Sequence, residues 1–235
     1  MRTIAVLQPS YLPWIGYFDQ ILRSDIFIFL DDVLYTKNDW RNRNRIKTAN
    51  GPIWLTLPID TKNRITDSLL IKDAKILDKR VLSKHLQSIK FNYKKAPYFD
   101  EFYPLLEKLF NKDWQTLTEL NISFVELVII YLSIKGKKIY RSSELVLEPY
   151  ETSTERLINI CKHFKATDYL TGDAAKSYLD EKLFKKNGIT VIYQQYQHPT
   201  YHQLWGEFVF YLSIIDLLFN VGKNSGIVIS NKKNG

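Results

Sequence analysis

Residues 4–32 read IAVLQPSYLPWIGYFDQILRSDIFIFLDD, and this stretch decides the fold class. Two short apolar runs, residues 4–8 and 26–30, are closed by Pro9 and by Asp31-Asp32, a pattern typical of strands buried on both faces of a parallel sheet. Between them, apolar residues recur at helical spacing after Pro13-Trp14. A right-handed strand-helix-strand unit would place both strand ends at the same edge of the sheet, where open α/β sheets bind ligands.

The rest of the chain extends this pattern. A third strand is predicted at residues 54–59, and mainly helical spacing follows at about 79–135, with Asn121 or Ser123 as candidate caps. Strands at 138–141, 169–172 and 189–194 then alternate with helices at 154–164 and 174–184, and residues 208–219 form a buried helix. We therefore predict one α/β domain over residues 1–235, Rossmann-like, with a mostly parallel sheet and a helical insertion at about 79–135.

Composition narrows the classes of function. No run of eighteen apolar residues is present, so membrane insertion is not expected. The apolar run at residues 4–7 is too short for a signal peptide, and the lone Cys161, expected to be buried, agrees with a reducing compartment. We therefore expect a cytoplasmic protein. The net charge of +8 fits an anionic partner, such as a nucleotide, a phosphosugar or RNA, although a general bias toward lysine and asparagine and a solvated C-terminal tail also explain it.

The first group of candidate ligand residues lies where the first strand gives way to the helix. Two prolines stiffen this turn, while its side chains supply hydrogen bonds and aromatic faces, and the following helix offers backbone N–H groups to an anion. A rigid packing turn is the alternative interpretation. The candidate ligand residues are Gln8, Tyr11, Trp14 and Tyr17.

A second group follows the second apolar run. Asp31 and Asp32 at a strand end suit a base, a bound Mg²⁺ or contact with a substrate amine. Cations then alternate with asparagine beside tryptophan, which suits a phosphate joined to a flat ring, although an exposed charged loop gives the same composition. The candidates in this segment are Lys37, Trp40, Arg41, Asn42, Arg43 and Lys47.

Further candidates are scattered along the chain: His85, Tyr93, Thr171, Gly172 and His198. Glycine in Thr171-Gly172 would let a ligand approach the backbone, although an ordinary turn explains it equally well. His198 and His202 suggest a metal, but Pro199 breaks the helical spacing they would need and no third ligand is suitably placed. We predict no metal site.

Several of these motifs resemble the WbqC-like family. The resemblance rests on Gln8 through Tyr17, Leu30 through Val33 and Lys37 through Lys47, and it continues downstream to residues 215–220. The turn after the first strand is also similar in place to the His-x-Gly-His signature of nucleotidyltransferase-type Rossmann domains. This chain has Trp14-Ile15-Gly16-Tyr17 there instead, so that likeness supports fold rather than chemistry.

The family resemblance implies a role in bacterial surface polysaccharide (O-antigen) biosynthesis, with transfer of glycine or another acyl group to the amine of a nucleotide-linked amino sugar. In that hypothesis Arg41, Arg43 and Lys47 bind the diphosphate. Tyr11, Trp14 and Trp40 stack on base or sugar, and Asp32 or His85 removes a proton from the amine. The donor is either glycine activated by ATP with Mg²⁺ or an aminoacyl-tRNA.

Other interpretations remain open. They are a glycosyl- or nucleotidyltransferase of the same pathway, and a non-catalytic accessory protein that binds a nucleotide sugar or RNA. The sequence leaves the sugar, the donor and the oligomeric state open, a homo-oligomer included.

Overall fold

The computed structural model describes residues 1–61 and 68–230. In chain order its strands are β1 (Thr3–Leu7), β2 (Ile26–Phe29), β3 (Arg43–Thr48), β4 (Gly51–Thr56), β5 (Lys138–Arg141), β6 (Asp168–Thr171) and β7 (Thr190–Tyr193). Its α-helices are α1 (Ile15–Arg23), α2 (Arg80–Tyr93), α3 (Phe99–Phe110), α4 (Leu117–Tyr131), α5 (Ser153–His163), α6 (Glu181–Lys186), α7 (Ile214–Val221) and α8 (Ser225–Ile229).

The chain divides into two compact units. Unit 1 comprises Met1–Gln8, Phe18–Leu30 and Lys135–Gln197, and unit 2 comprises Pro9–Tyr17, Asp31–Ile134 and His198–Gly235. The segment predicted as a helical insertion contains α2, α3 and α4 and falls almost wholly within unit 2. The single-domain interpretation stays a prediction.

Unit 1 contains a five-stranded sheet in the order β5-β2-β1-β6-β7, and every neighbouring pair in it is parallel. The sequence-based prediction of a mostly parallel α/β sheet is therefore confirmed. The chain proceeds from β1 to β2 and β5 on one side, then reaches β6 on the other side of β1. The topological switch point thus lies between β1 and β6, just beyond Leu7 and Thr171, where such sheets bind ligands.

The core of unit 1 explains why these segments are strands. Residues 26–29 are all buried, and the side chains of Ile4 and Ile28 pack with those of α5, where Cys161 lies fully buried as predicted. Burial raises the pKa of the Cys161 thiol to about 12, so this thiol stays protonated and unreactive near neutral pH.

Unit 2 combines the hairpin β3–β4 with helices. The two strands pair antiparallel from Arg43 opposite Thr56 to Thr48 opposite Gly51. The strand predicted at residues 54–59 is observed at Gly51–Thr56 as β4. It pairs with β3 and is not part of the parallel sheet. Strand β3 was not predicted from the sequence, because its alternating arginines and asparagines resemble a charged loop.

Three helix boundaries also differ from prediction, each for a local reason. Helix α4 is capped by a reciprocal box between Thr116 and Glu119, not by Asn121 or Ser123. The predicted helix at 174–184 is instead a 3-10 turn followed by α6, which starts after the cap residue Asp180. The helix predicted from 208 begins only at Ile214, because Tyr211 adopts a left-handed backbone with φ 58°.

None of the helices within residues 1–61 and 68–230 combines the length and apolar character needed to cross a membrane.

Candidate functional site

The structure separates the predicted site residues into two groups. Gln8, Thr171 and Gly172 belong to unit 1. Unit 2 holds the others, namely Tyr11, Trp14, Tyr17, Asp31, Asp32, Lys37, Trp40, Arg41, Asn42, Arg43, Lys47, His85, Tyr93 and His198.

The turn that follows β1 is held rigidly inside unit 2. The backbone N–H of Tyr11 donates to the carbonyl of Trp40 at 2.9 Å, and Asn44 Nδ2 donates to the carbonyl of Leu12 at 2.7 Å. Leu12 is fully buried with φ 45°, a left-handed conformation that is costly for a bulky side chain. The surrounding hydrogen bonds maintain this strained shape and keep the turn beside the segment that leads into β3.

Tyr11 and His85 form a buried hydrogen-bonded pair. Tyr11 Oη lies 2.8 Å from His85 Nδ1, and both side chains are almost fully enclosed. Burial lowers the pKa of His85 to about 4. An imidazole with this pKa is neutral at pH 7, and its Nδ1 is engaged with Tyr11, so the geometry favours His85 as a residue that positions Tyr11.

The low pKa of His85 predicts a loss of stability in acid. The unfolded imidazole takes up a proton near pH 6.5, whereas the folded one resists protonation down to about pH 4. The unfolded state therefore binds more protons across this window, and we expect the free energy of unfolding to fall by about 2 kcal/mol between pH 7 and pH 5. Urea unfolding at both pH values measures this change. A His85→Gln variant should show a correspondingly smaller fall, and an unchanged fall would exclude His85 as the cause.

The two carboxylates after β2 differ in environment. Asp31 is 1% exposed and its carbonyl accepts the backbone N–H of Lys72 at 2.8 Å, whereas Asp32 is half-buried. Lys37 is exposed. Within the described residues, no three His, Cys, Asp or Glu side chains cluster as metal ligands would.

One face of the β3–β4 hairpin carries stacked cations and aromatic rings. The guanidinium carbons of Arg43 and Arg45 lie 4.4 Å and 5.6 Å from the centre of the Trp54 ring. The rings of Trp54 and Trp40 are 5.6 Å apart, and these side chains are 45% and 44% exposed. We call Trp40, Arg43, Arg45 and Trp54 the hairpin face. It offers an aromatic surface flanked by two cations, a combination that suits an aromatic or sugar ring joined to phosphate.

The electrostatics of the hairpin face favour an anion. From Trp40 to Leu57 the chain has four cations and no carboxylate. Arg41 is paired with Asp39 at 2.5 Å, but Arg43 and Arg45 have no carboxylate partner in the described part of the chain. The guanidinium of Arg43 is held by Trp54 and keeps its hydrogen-bond donors for a ligand.

Asn42 and Lys47 flank this face but are engaged inside the protein. Asn42 Nδ2 donates to the carbonyl of Leu57 at 2.8 Å. The ammonium of Lys47 is buried, and it donates to Gln203 Oε1 at 3.1 Å and to the carbonyl of Glu207 at 2.5 Å. Burial lowers its pKa below the usual value. These contacts occupy the Lys47 ammonium inside the protein, and the prediction that Lys47 binds a diphosphate stays a prediction.

Lys47 belongs to a buried network around Asp216, a carboxylate that is not among the site residues predicted from sequence. Tyr93 Oη accepts the backbone N–H of Lys47 and donates to Asp216 Oδ1, both at 2.8 Å. Tyr201 donates to Asp216 Oδ2 at 2.8 Å. Asp216 is fully buried, which raises its pKa. The network ties α2, β3 and α7 to the segment that contains Tyr201 and Gln203.

His198 lies in an aromatic cluster and its tautomer is determined by two contacts. The backbone N–H of Tyr211 donates to Nε2 at 3.2 Å, so the hydrogen of the neutral ring is on Nδ1, which donates to the carbonyl of Pro199 at 2.9 Å. Burial lowers the pKa of His198, which favours this neutral form. Its ring stacks on Trp14 at 6.4 Å and meets the ring of Tyr211 edge-on at 5.2 Å.

Gly16 explains the position of Trp14. A Cβ at Gly16 would lie only 2.1 to 2.6 Å from three atoms of the Trp14 ring, so the indole occupies the space that any other side chain would need. Tyr17, next in the chain, is buried, and burial raises its pKa well above the usual value.

Gly16→Ala should displace the Trp14 indole. We expect a loss of stability of about 1–3 kcal/mol from overpacking, with a red-shifted tryptophan emission as the ring becomes exposed. Gly226→Ala is the control, because a Cβ there meets nothing within 4 Å. Equal stability of both variants and the wild type would contradict this placement.

The structure adds Arg45 and Trp54 to the residues selected from sequence. Arg45 was passed over as one more cation of a charged segment, and Trp54 as part of a strand. Reading Arg43, Asn44 and Arg45 as a period-two pattern before the Asn50-Gly51 turn would have indicated the hairpin and its cationic face.

In unit 1, the other predicted residues lie at the carboxyl edge of the sheet. Gln8 directly follows β1, and Gly172 directly follows β6, whose last residue, Thr171, is buried. These are the two strands that border the switch point.

Comparison with known proteins agrees with the resemblance in the motifs. The model of the WbqC-like protein family matches residues 8–227. The chain is 39% identical over 224 residues to uncharacterized protein Rv1507c of Mycobacterium tuberculosis, covering 94% of this chain and 95% of that protein. A search of solved structures gave no significant match.

Proposed function

Because this chain belongs to the WbqC-like protein family, we propose that it is a cytoplasmic transferase of bacterial surface polysaccharide biosynthesis. It adds a glycyl or other acyl group to the amine of a nucleotide-linked amino sugar. The polysaccharide role and the substrate come from the family resemblance, and the exposed rings and cations of the hairpin face in unit 2 support them.

The observation that carries the proposal is the guanidinium of Arg43, stacked on Trp54 with no carboxylate partner among the described residues. A nucleotide-linked sugar combines a flat base, a diphosphate and a sugar ring. Exposed Trp40 and Trp54 suit the flat base, and Arg43 with Arg45 suits the diphosphate through charge-assisted hydrogen bonds.

The chemistry requires a free amine, because an ammonium group has no lone pair. In the proposed reaction the half-buried Asp32 takes the proton, and the amine then attacks the acyl carbon of the activated donor. A C–N bond forms as the C–O bond to the donor breaks, and the donor leaves as AMP or as deacylated tRNA. ATP-activated glycine and aminoacyl-tRNA remain alternative donors.

A second candidate function is binding of single-stranded RNA without catalysis. The net charge of +8 and the cation-aromatic composition of the hairpin face favour it. RNA binding would weaken steeply with salt, because each neutralised phosphate releases counterions. Such binding without turnover of any sugar nucleotide would replace the transferase proposal. A glycosyl- or nucleotidyltransferase would instead cleave the sugar nucleotide with no acyl donor present.

The test is transfer to a panel of nucleotide-linked amino sugars. Purified protein receives each sugar with glycine, ATP and Mg²⁺ or with glycyl-tRNA, and mass spectrometry follows the sugar nucleotide. We expect one sugar to gain a glycyl group, with the gain lost in Asp32→Asn and Arg43→Ala. Arg80→Ala is the matched control, because Arg80 is an exposed arginine on α2 paired with Asp78. A panel without any mass gain would contradict the proposal.

A further inference from the structure

A second aromatic surface in unit 2 adjoins the hairpin face at Arg45. The guanidinium carbon of Arg45 lies 5.6 Å from the centre of the Trp54 ring, while its Nη2 lies 3.5 Å from the carbonyl oxygens of Phe210 and Tyr211. The backbone N–H of Ser213 donates to the carbonyl of Arg45 at 2.9 Å, so the segment at residues 210–213 runs beside β3. One cation therefore adjoins both the Trp54 ring and the segment that contains Phe210 and Tyr211.

Two exposed rings make up this second surface. Phe210 and Tyr211 are 45% and 52% exposed, and their ring centres are 6.1 Å apart. Both rings meet His198 edge-on, at 5.3 Å and 5.2 Å, and the ring of Tyr211 lies 5.6 Å from that of Trp14. Among the described residues, no lysine or arginine stacks on the ring of Phe210 or Tyr211. A contiguous exposed apolar patch of this kind is typical of a binding surface.

The backbone of Tyr211 is strained. Its φ of 58° lies in the left-handed region, which is uncommon and costly for a bulky residue. The backbone N–H of Tyr211 donates to His198 Nε2 at 3.2 Å and its carbonyl adjoins Arg45, so contacts on both sides hold this conformation. Glycine would adopt the same φ without strain. Backbone stability therefore does not explain a tyrosine at this position, whereas a ligand that packs on its ring does.

We propose that Phe210 and Tyr211 bind the amine-bearing sugar ring of the nucleotide-linked sugar, with the base on Trp54 and the diphosphate at Arg45 between them. The inference rests on the proposed function, from which it takes the ligand, and it adds the place of the sugar. Aromatic faces attract an ammonium group, which an amino sugar carries and a nucleobase lacks. The diphosphate neutralises Arg45, so this cation does not repel the amine.

The test compares uridine diphosphate and thymidine diphosphate, each free and each linked to 4-amino-4,6-dideoxyglucose, by calorimetric titration of the full-length protein. We expect the sugar to tighten binding about tenfold for at least one nucleotide. Tyr211→Gly should abolish this gain in affinity and leave the affinity for the free diphosphate unchanged. Phe210→Ala should reduce the gain as well, whereas Trp54→Ala should weaken both forms.

Two further variants serve as controls. Tyr211→Phe keeps the ring and should keep the gain in affinity. Phe91→Ala removes an exposed aromatic ring from α2 and should bind every probe as the wild type does. We expect Tyr211→Gly to fold, because glycine accepts a φ of 58° and the tyrosine ring that it removes is half-exposed.

The outcomes separate this inference from the proposed function. Free diphosphates that bind with no gain from the sugar, or with a gain that persists in both Tyr211→Gly and Phe210→Ala, would overturn the inference and leave the hairpin face as a nucleotide site. Absence of binding by all four probes would overturn the inference together with the hairpin face as the substrate site. The expected gain in affinity without any glycyl transfer would support the inference and contradict the proposed reaction.

Discussion

Trp54→Ala should weaken binding of a nucleotide-linked sugar about 30-fold, through loss of one base-stacking surface. The effect is large because Trp54 also supports the guanidinium groups of Arg43 and Arg45, at 4.4 Å and 5.6 Å from its ring. Without the indole both arginines gain rotational freedom, which must be lost again on binding. Calorimetric titration of the wild type and the variant with the sugar nucleotide found in the transfer panel measures the difference.

The matched control is Ile130→Ala, which removes an exposed apolar side chain from α4. It should bind the sugar nucleotide as the wild type does. If Trp54→Ala kept full affinity while remaining folded, the sugar nucleotide would have to bind elsewhere.

Tyr93→Phe should lower the free energy of unfolding by about 3 kcal/mol, because one hydroxyl serves two buried groups. Its removal leaves the backbone N–H of Lys47 without an acceptor and Asp216 Oδ1 without a donor. Phenylalanine preserves the ring packing against Phe219, at 5.1 Å between centroids, so the loss reports hydrogen bonding rather than a cavity. Urea unfolding measures the change.

Two further substitutions calibrate this loss. Tyr201→Phe removes the hydrogen bond to Asp216 and a longer one, at 3.3 Å, that Tyr201 accepts from Gln203 Nε2, but its side chain is only half-buried, so it should cost less than Tyr93→Phe. Tyr150→Phe, at an exposed position, should leave stability unchanged. Equal stability of Tyr93→Phe and the wild type would mean that the network around Asp216 contributes nothing to the fold.

The parallel sheet was predictable because the apolar composition of its first two strands indicates burial. Residues 4–7 and 26–29 are continuous apolar runs, and strands buried on both faces require that composition. The hairpin was not predicted, because β3 buries Asn44 and Ile46 on one face while Arg43 and Arg45 occupy the other. Its stability comes from pairing with β4 and from contacts distant in sequence, which a search for apolar runs does not detect.

The residues of the candidate site likewise divide into those that the sequence indicates and those that only the structure identifies. Arg43 and Trp40 were selected from sequence because basic and aromatic residues alternate there, and both lie on the hairpin face. In the sequence Lys47 is one more cation after Arg43 and Arg45. In the structure the segment around Gln203 buries its ammonium. Asp216 was not selected as a site residue because a single polar residue within an apolar helical pattern does not reveal whether its partners are buried.

Binding at the hairpin face is tested most directly by following the indole N–H signals of the five tryptophans by NMR while a nucleotide-linked amino sugar is added. Trp114 is the internal control, because it is buried and donates to the carbonyl of Leu109 at 2.9 Å. We expect saturable shifts for Trp40 and Trp54 and none for Trp114. Saturable binding that leaves Trp40 and Trp54 unmoved would contradict it.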